Sequence, residues 1–266
     1  MSTGLTKYVL VPLATIGCGK TTVFLTLQKL FPEWVHLQND NVKKGGSRYK
    51  LIDGSLQALK EHPVVLFDRN NSSAKERKQI FEDFEARRSK FLENEVAIKF
   101  IAVSFIEDIS DPAVWDITYK RIKERGDNHQ SIKSATDPAT AVMVMRTFIK
   151  RYQPLWTNRF PDNQFDSVIQ LRLKETNSSL DNTKVVINHL AQFYPELVVS
   201  QPTNEEIEAA FRDALDYKPS FTKVMSKEGN KNASPKKQAT SAVRTKYVAK
   251  SMRQSSIGLD GRIDKR

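Results

Sequence analysis

The sequence predicts an α/β protein in which a parallel sheet of about five strands carries helices on both faces, together with a helical lid. Three observations support this fold class. Short β-branched runs alternate with segments of helical period along residues 7–217. The run ATIGCGKTT joins the first strand to the first helix, as in a P-loop NTPase-type sheet. At 266 residues the chain has room for one such domain with appendages.

The first half of the chain supplies three strands and two helices. KYVLVPL is a buried strand by its length and β-branched content, and KTTVFLTLQKLF continues as a helix that Pro32 ends. SSAKERKQIFEDFEARRSKFLE begins with serine caps and has the pattern of a long amphipathic helix. The predicted strands are 7–13, 34–38 and 64–67, and the predicted helices are 20–31 and 72–93.

The second half adds two strands, VAIKFIAVSFI and DSVIQLRL, and four helices. The helix DPAVWDITYKRIKER has proline in its first turn, where the fixed φ of proline suits a helix start. The strands are predicted at 96–106 and 166–173, and the helices at 111–125, 138–153, about 181–194 and about 203–217. The predicted lid spans about 111–137.

Charge divides the chain into two parts. Of the formal net charge of +11, residues 218–266 carry thirteen Lys or Arg against three Asp or Glu, so residues 1–217 are nearly neutral. The C-terminal part also has few apolar residues and no period, which predicts a basic, flexible linker. Such a linker either contacts phosphate backbones or is only solvated. We therefore expect a domain at 1–217, a tail at 218–266, and a chain that is one part of a longer protein.

Composition also excludes several classes of protein. No apolar run reaches the length of a membrane span, and the N-terminus has no signal-peptide core, so no membrane partner is expected. The single cysteine, Cys18, rules out an intrachain disulfide framework and a zinc cluster of cysteines. A reducing cytoplasmic or nuclear setting is therefore indicated.

The run from Ala14 to Thr22 fits the phosphate-binding pattern G-x-x-x-x-G-K-[ST], except that Ala14 replaces the first glycine. Backbone N–H groups of such a loop point at anionic oxygens, so Lys20 would reach the β- and γ-phosphates and Thr21 would coordinate Mg²⁺. Ala14 fits the first position if its φ is negative. The alternative is an ordinary glycine-rich turn. The candidate nucleotide-binding residues of this loop are Ala14, Thr15, Ile16, Gly17, Cys18, Gly19, Lys20, Thr21 and Thr22.

Two carboxylates follow predicted strands at the edge where ligands bind in open parallel sheets. Asp40, in QNDN, comes directly after the second strand and is placed to accept the proton of an attacking hydroxyl. A turn-forming aspartate between two asparagines is the alternative. Asp68 ends the third strand, where it would hold Mg²⁺ or substrate with Arg69 as a donor beside it. A capped helix entry at this point is compatible with that role.

The segment YKRIKERGDNHQSIK, residues 119–133, places arginines and lysines at the end of a predicted helix with a glycine break. Such a segment suits a mobile lid whose arginine closes over the transferring phosphate. By composition alone, a solvated charged helix is the alternative.

The motifs ATIGCGKTT, Asp40, FDRNNSSAKERK and RIKERGDNHQSIK together resemble the central kinase domain of fungal tRNA ligase, a trifunctional enzyme of tRNA splicing. Phage-type polynucleotide 5′-kinases share the layout more distantly. The resemblance covers roughly residues 7–217 and implies a kinase that acts on the 5′-OH end of RNA, here a tRNA exon. It implies a nucleoside triphosphate donor, GTP in preference to ATP, and Mg²⁺. The ligase and cyclic phosphodiesterase modules of the full enzyme are not visible, so the chain would be an excised kinase domain with its linker.

The resemblance also implies residue roles. Asp40 is the expected general base, and Lys20 and Thr21 are the expected phosphate and metal contacts. Arg125 is the expected lid arginine, with Arg121 a second candidate.

Three further assignments concern the substrate and the donor base. By the resemblance, Asp68 matches the aspartate at the end of the third strand, with Arg69 beside it on the substrate side. Lys43 stands where phage-type relatives have arginine, and a lysine cannot form the bidentate fork on a phosphate. Glu175, in the loop after the fifth strand, is the candidate contact to guanine because base-recognition loops of P-loop kinases often lie there.

Three other functions compete with the kinase. A GTP-dependent switch would require an N-K-x-D signature, which the sequence lacks. The sequence distinguishes a small-metabolite kinase on the same scaffold poorly from an RNA kinase, because the acceptor pocket is built from dispersed residues in either case. A non-catalytic RNA tether acting through the tail leaves the phosphate-loop motif and the nearby Asp40 unexplained.

Overall fold

The computed structural model of the protein describes residues 5–42, 47–175 and 177–219. The strands are β1 (Thr6–Leu13), β2 (Val35–Gln38), β3 (Val64–Asp68), β4 (Ala97–Ser104) and β5 (Ser167–Gln170). The α-helices are α1 (Lys20–Leu30), α2 (Lys50–Ala58), α3 (Ala74–Arg88), α4 (Pro112–Arg125), α5 (Pro138–Arg151), α6 (Ser179–Phe193) and α7 (Asn204–Leu215). The predicted tail lies outside the described residues, apart from Lys218 and Pro219.

The five strands form one parallel sheet in the order β2-β3-β1-β4-β5, which confirms the predicted fold class. β1 lies at the centre and pairs with β4 along its whole length, from Thr6 opposite Ala97 to Leu13 opposite Ser104. All carboxyl ends point to one edge of the sheet, as in every open parallel sheet. The loops that follow β1, β2 and β3 are therefore neighbours in space.

The sheet is buried on both faces, and this explains why β1 is an uninterrupted apolar run. Its side chains alternate between two cores: Tyr8 and Leu10 belong to one cluster, and Val9 and Val11 belong to the other. Buried residues of α1, α6 and α7 build the first core, and those of α2 and α3 build the second. A third, smaller cluster joins Ile16 of the loop after β1 to Ile122 of α4 and Met145 of α5. This small cluster attaches the predicted lid to the phosphate-loop motif.

Helix α2 was missed by the sequence analysis. Its buried residues Leu51, Ile52, Ser55 and Leu56 recur at helical spacing, so the signal was present. Gly54 in the middle of the helix weakens the intrinsic preference, and only packing against β2, β3 and α3 compensates for it.

Two predicted elements are longer than the observed ones. β5 ends at Gln170, opposite Ser104, because β4 ends there and leaves no partner for residues 171–173. α3 ends at Arg88, where residues 89–92 tighten into turns. Its start is as predicted: Ser73 and Glu76 form a capping box. Among the described residues, no helix is both long and apolar enough to cross a membrane.

Candidate active site

The loop after β1 has the backbone shape of a phosphate-binding loop. Gly17 and Gly19 have φ of +83° and +89°, a region that favours glycine. Ala14 has a negative φ, because Asn71 is the only described non-glycine residue with a positive one. Ala14 is buried and donates its N–H to the Asn70 carbonyl at 2.9 Å. The replacement of the first glycine by Ala14 therefore introduces no backbone strain.

Close packing also leaves no room for a side chain at Gly17 or Gly19. A Cβ at Gly17 would lie 2.7 Å from the Thr118 carbonyl oxygen, and one at Gly19 would lie 2.2 Å from Ser179 Oγ. Both neighbours are on other elements, α4 and α6, so the loop is clamped from two sides. Beneath it, the hydroxyl of Thr15 lies 3.2 Å from the Cys18 sulfur, and burial raises the pKa of that thiol. Both side chains are buried.

Asp68 is the centre of a buried polar cluster at the carboxyl end of β3. Its Oδ1 lies 3.0 Å from Lys20 Nζ, and its Oδ2 accepts from the Thr21 hydroxyl at 2.7 Å. Burial alone would raise the pKa of Asp68, but Lys20, His36 and Thr21 outweigh it and hold that pKa well below its usual range. Asp68 is therefore an anion at neutral pH. The structure thus brings three predicted residues, Lys20, Thr21 and Asp68, into direct contact.

His36 was not assigned a role by the sequence analysis, which saw only its strand. Its Nε2 lies 3.0 Å from Asp68 Oδ2, and its ring packs edge-on against Phe24 at 5.9 Å between centroids. The pairing register of β2 and β3 could have identified it. His36 is opposite Leu66 on the neighbouring strand, and Leu66 lies two residues before Asp68.

Asp40 lies on a short 3-10 turn, Asn39–Asn41, directly after β2. Its side chain is 41% exposed, and its Oδ2 lies 3.5 Å from Nε2 of His129. The same turn is tied to the lid by Gln130, whose side-chain amide donates to Asn41 Oδ1 at 2.8 Å. Asp40 therefore faces the lid from across the cleft.

His129 is the second functional candidate that sequence reasoning missed, although it stands within the motif GDNHQSIK. Burial lowers its pKa to about 3, with Arg125, Lys20 and Lys133 acting in the same direction, so the ring is neutral. The backbone N–H groups of Ser131 and Ile132 both donate to its Nδ1 at 3.1 Å. A neutral ring that accepts at Nδ1 carries its proton at Nε2, and that proton points towards Asp40.

Arg121 and Arg125, the two candidate lid arginines on α4, differ in their hydrogen-bond partners. Arg121 donates to the carbonyl of Cys18 at 2.9 Å and to the Ser178 hydroxyl at 3.0 Å, so it braces the loop after β1 against the loop before α6. Arg125 is largely buried, yet its Nε and Nη2 have no hydrogen-bond partner among the described residues. Burial lowers its pKa, while Asp40 acts in the opposite direction. A buried guanidinium with free donors is suited to an anionic ligand, which favours Arg125 over Arg121 for contact with the transferring phosphate.

A cavity of about 720 Å³ joins these groups, a volume suited to a nucleotide-sized ligand. Of the predicted residues, it is lined by Ile16, Gly17, Cys18, Gly19, Lys20, Thr21, Thr22, Asp40, Asp68, Arg121 and Arg125. Ala14, Thr15, Arg69 and Glu175 are not among its lining residues, and Lys43 lies outside the described part of the chain. Glu175 is exposed, and its loop contributes Asn177 instead.

Other lining residues come from parts of the chain with no motif. Asn70 follows Asp68, and its Oδ1 is buried without a hydrogen-bond partner in the described structure. Phe211 and Leu215 of α7 and Pro219 beyond it give the cavity an apolar end. Pro219 is buried although it lies two residues past the predicted domain boundary. The cavity therefore depends on the C-terminal end of the described chain.

The donor set suits Mg²⁺ only together with a phosphate ligand. Thr21 and Asp68 offer a hydroxyl and a carboxylate, both hard oxygen ligands. Within the described residues, no group of three His, Cys, Asp or Glu could hold a metal by itself. Mg²⁺ is commonly bound by one or two protein oxygens plus substrate phosphates, so the residues present fit the predicted ion.

Comparison with known proteins identifies two matching family models. The model described as the tRNA ligase kinase domain matches residues 9–174, and that of the fungal tRNA ligase phosphodiesterase domain matches residues 178–262. The second match begins inside the predicted kinase domain and covers most of the predicted linker, for which the sequence had indicated no further module. Helices α6 and α7 nevertheless pack in the same core as β1.

Two curated relatives and one solved structure are similar to the chain. It is 51% identical over 227 residues to a tRNA ligase of Candida albicans, which covers 83% of this chain and 27% of that protein. It is 32% identical over 226 residues to tRNA ligase 1 of Schizosaccharomyces pombe, and that match covers 84% of this chain and 27% of that protein. The chain thus spans about a quarter of the length of these relatives. A crystal structure of a fungal RNA kinase superposes with a TM-score of 0.77 at 50% identity, covering 81% of this chain and 99% of that one.

Proposed function

The chain belongs to the tRNA ligase kinase domain family, and on that premise we propose that it is an RNA 5′-hydroxyl kinase. It transfers the γ-phosphoryl group of a nucleoside triphosphate to the 5′-OH end of an RNA. The observation that carries this proposal is that a phosphate-binding loop, a buried arginine with free donors and an exposed aspartate line one cavity.

The donor is bound by the loop after β1. The backbone N–H groups of residues 16–21 and the N-terminus of α1 surround the phosphates, and Lys20 contacts the β- and γ-phosphate oxygens. Asp68 holds Lys20 and Thr21 in place before the nucleotide arrives. A Mg²⁺ ion bound with the nucleotide would be held by Thr21 and Asp68 and would neutralise charge on the phosphates.

The acceptor is activated from the opposite side of the cleft. Asp40 orients the 5′-hydroxyl and takes its proton as that oxygen attacks phosphorus. His129 is a positioning residue that directs its Nε2 proton towards Asp40. Arg125 donates to the transferring phosphoryl group, whose charge it stabilises in the transition state. Asn70 offers its buried amide oxygen at the rim beside Asp68. Arg69 and Lys43 are candidate contacts to RNA.

The donor base occupies the apolar end of the cavity, next to Phe211 and Leu215. We expect GTP to be preferred to ATP, as the family resemblance implies. Glu175 was the sequence-based candidate for the guanine contact, and Asn177 of the same loop is a second candidate because it lines the cavity. Substitution of each by alanine, with kcat/KM measured for both nucleotides, distinguishes them: the contact residue is the one whose loss changes the GTP/ATP ratio.

In the wider enzyme, we propose that this chain acts on tRNA exons beside ligase and cyclic phosphodiesterase modules, in the cytoplasm or the nucleus. The names of the curated relatives and the match to a phosphodiesterase model support this context. We also propose residues 1–217 as the kinase domain, extended to Pro219 because that residue lines the cavity.

The test is a competition between acceptors. A 5′-OH RNA oligonucleotide, a nucleoside and a sugar are offered together with labelled GTP or ATP, and the labelled product is identified. We expect label on the RNA 5′ end and a requirement for Mg²⁺. Label on the small alcohol would assign a metabolite kinase, and release of free phosphate alone would assign a nucleotide switch.

A further inference from the structure

A second surface feature adjoins the active site, and none of the roles above uses it. Residues 146–160, RTFIKRYQPLWTNRF, contain four Arg or Lys, four aromatic residues and no Asp or Glu. The local net charge of +4 contrasts with the near-neutral total of residues 1–217. We call the side chains of Phe148, Arg151, Trp156, Arg159 and Phe160, with Lys78 of α3, the basic–aromatic strip.

The strip begins inside the active-site cavity and continues onto the surface. Phe148 lines the cavity, and the Arg151 guanidinium stacks on its ring at 3.7 Å from the centroid. Beyond the end of α5, Trp156 and Phe160 are 49% and 59% exposed. Arg159 lies 4.3 Å over the Trp156 ring, and Lys78 lies 5.8 Å over the Phe160 ring. Each aromatic side chain of the strip thus has a cation over its ring. Arg151 also pairs with Glu76 at 3.5 Å and Lys78 with Glu82 at 3.3 Å, so Arg159 is the strip cation for which no ion pair is seen among the described residues.

A buried ion pair holds the outer part of the strip in place. Arg77 is fully buried and forms two hydrogen bonds to Asp162, at 2.5 Å and 2.8 Å. It also donates to the carbonyls of Gln153 and Pro154, and Asp162 accepts the N–H of Trp156 at 2.9 Å. The exposure of Trp156 is therefore fixed by the fold and is not a property of a loose loop.

The same segment is bonded to the loop that follows β3 at the rim of the active site. Ser72 accepts from Arg151 Nε at 3.2 Å through its hydroxyl and from Gln153 N at 2.7 Å through its carbonyl. Two residues before Ser72, Asn70 lines the cavity next to Asp68. The strip thus begins at the rim that carries Asp68 and Asn70 and continues beyond the end of α5.

We propose that the basic–aromatic strip binds the single-stranded RNA that follows the 5′-terminal nucleotide. The inference rests on the proposed kinase function and adds the route of the substrate strand. Aromatic side chains stack on bases irrespective of sequence, while arginines and lysines contact the phosphates between them. Trp156 keeps one face for a base, because Arg159 covers the other and about half of the residue is still exposed.

The test compares substrates of two lengths with the 266-residue chain. Because Trp156 lies beyond the end of α5 and does not line the cavity, we expect a 5′-OH dinucleotide to end before it, whereas a longer single strand can lie along the strip. We expect Trp156→Ala to raise the KM for the long RNA about 5- to 150-fold, the range for loss of one stacked base. The KM for the dinucleotide, the KM for the nucleotide and kcat should not change. Trp156→Phe should restore most of the binding, and Phe193→Ala, which removes an aromatic residue of similar exposure (57%) from α6, serves as the control.

A second variant tests the phosphate contacts. Arg159→Gln should reduce the slope of log KM against log salt concentration by about 0.7, the contribution of one phosphate on a single strand. Unchanged KM values for long RNA in both variants would overturn the proposal. Equal losses on the dinucleotide and the long RNA would also overturn it, since the strip would then act through the active site. If the unmodified chain phosphorylates neither RNA, the kinase function itself has failed.

Discussion

The two sides of the cleft differ in how complete they are without ligands. On the donor side, Asp68 is buried and contacts Lys20, Thr21 and His36 within 3.0 Å. On the acceptor side, Asp40 is 41% exposed and 3.5 Å from His129, its nearest charged or titratable partner among the described residues. Arg125, between the two sides, keeps two donors without partners in the described structure.

Under the proposed function, this difference corresponds to the two substrates, a nucleoside triphosphate donor and an RNA acceptor. The donor triphosphate has the same shape in every turnover, so its site can be built in advance from buried, paired groups. The acceptor is the end of a long polymer, and its site is completed only when RNA and the transferring phosphoryl group supply the missing partners. Changes on the donor side should therefore affect nucleotide binding, and changes on the acceptor side should affect transfer.

The largest effect is expected from Lys20→Ala. It removes the cation that contacts the phosphates and leaves Asp68 buried with one partner fewer. Nucleotide binding, measured by calorimetry, and phosphoryl transfer should both fall below detection. If transfer is lost while nucleotide affinity is kept, the donor side is less pre-organised than we argue.

Arg125→Ala should lower kcat by about 10³-fold, the lower end of the range for an arginine that stabilises a transferring phosphoryl group. Its effect on the KM for nucleotide should be much smaller, because the developing charge is greatest in the transition state. Arg125→Lys should rescue only part of the rate, since the planar fork is lost. A variant whose main defect is a raised KM for nucleotide would move Arg125 to the donor side.

His129 is expected to have a smaller effect, and two substitutions separate its contacts. Asn in place of His129 keeps an acceptor for the N–H groups of Ser131 and Ile132 but removes the donor that faces Asp40. We expect His129→Asn to lower kcat about 10- to 100-fold, as for loss of a hydrogen bond to a charged group. His129→Gln, which keeps a donor near the Nε2 position, should retain more activity. Similar losses in both variants, with a raised KM for nucleotide, would indicate a role in lid structure alone.

The low pKa of His129 gives a second measurement. Because its pKa in the folded protein is about 3, the ring does not titrate between pH 5 and 8, and His129→Asn should leave the pH profile of kcat unchanged in shape. In the unfolded chain a histidine binds a proton below its ordinary pKa of about 6.5, so acid favours unfolding of the unsubstituted protein. As pH falls from 7 to 5, its thermal stability should decrease more than that of His129→Asn. An equal decrease in both proteins would contradict a buried neutral ring.

The smallest effect is expected from truncation after Pro219. This removes residues that carry most of the positive charge of the tail but keeps the whole cavity. Tm and kcat should be unchanged, and the KM for RNA should rise modestly and depend less on salt. A truncated protein that unfolds would show that the predicted tail belongs to the fold.

The same contrast explains how much the sequence could predict. The fold followed from β-branched runs that are buried on both faces. Of the α-helices, only α2 was missed, because Gly54 weakens its intrinsic helix preference. The donor site followed from a contiguous motif, in which neighbours along the chain are neighbours at the ligand. Other contacts of the site join residues that are distant in sequence, and no local pattern reveals them. Examples are His36 with Asp68 on the donor side and His129 with Asp40 on the acceptor side. Glu175 stays a prediction: it does not line the cavity, whereas Asn177 of the same loop does.

The central claim is that Asp40 acts on the acceptor and not on the donor, and Asp40→Asn tests it most directly. This substitution keeps the shape of the side chain and removes its basicity. A positioned general base contributes about 10²–10⁴-fold to the rate, so we expect transfer to RNA to fall by at least that range. Binding of GTP with Mg²⁺, measured by calorimetry on the same protein, should be nearly unchanged. Loss of GTP binding would move Asp40 to the donor side, and near-normal transfer would show that it is only a turn residue; either result would contradict the account.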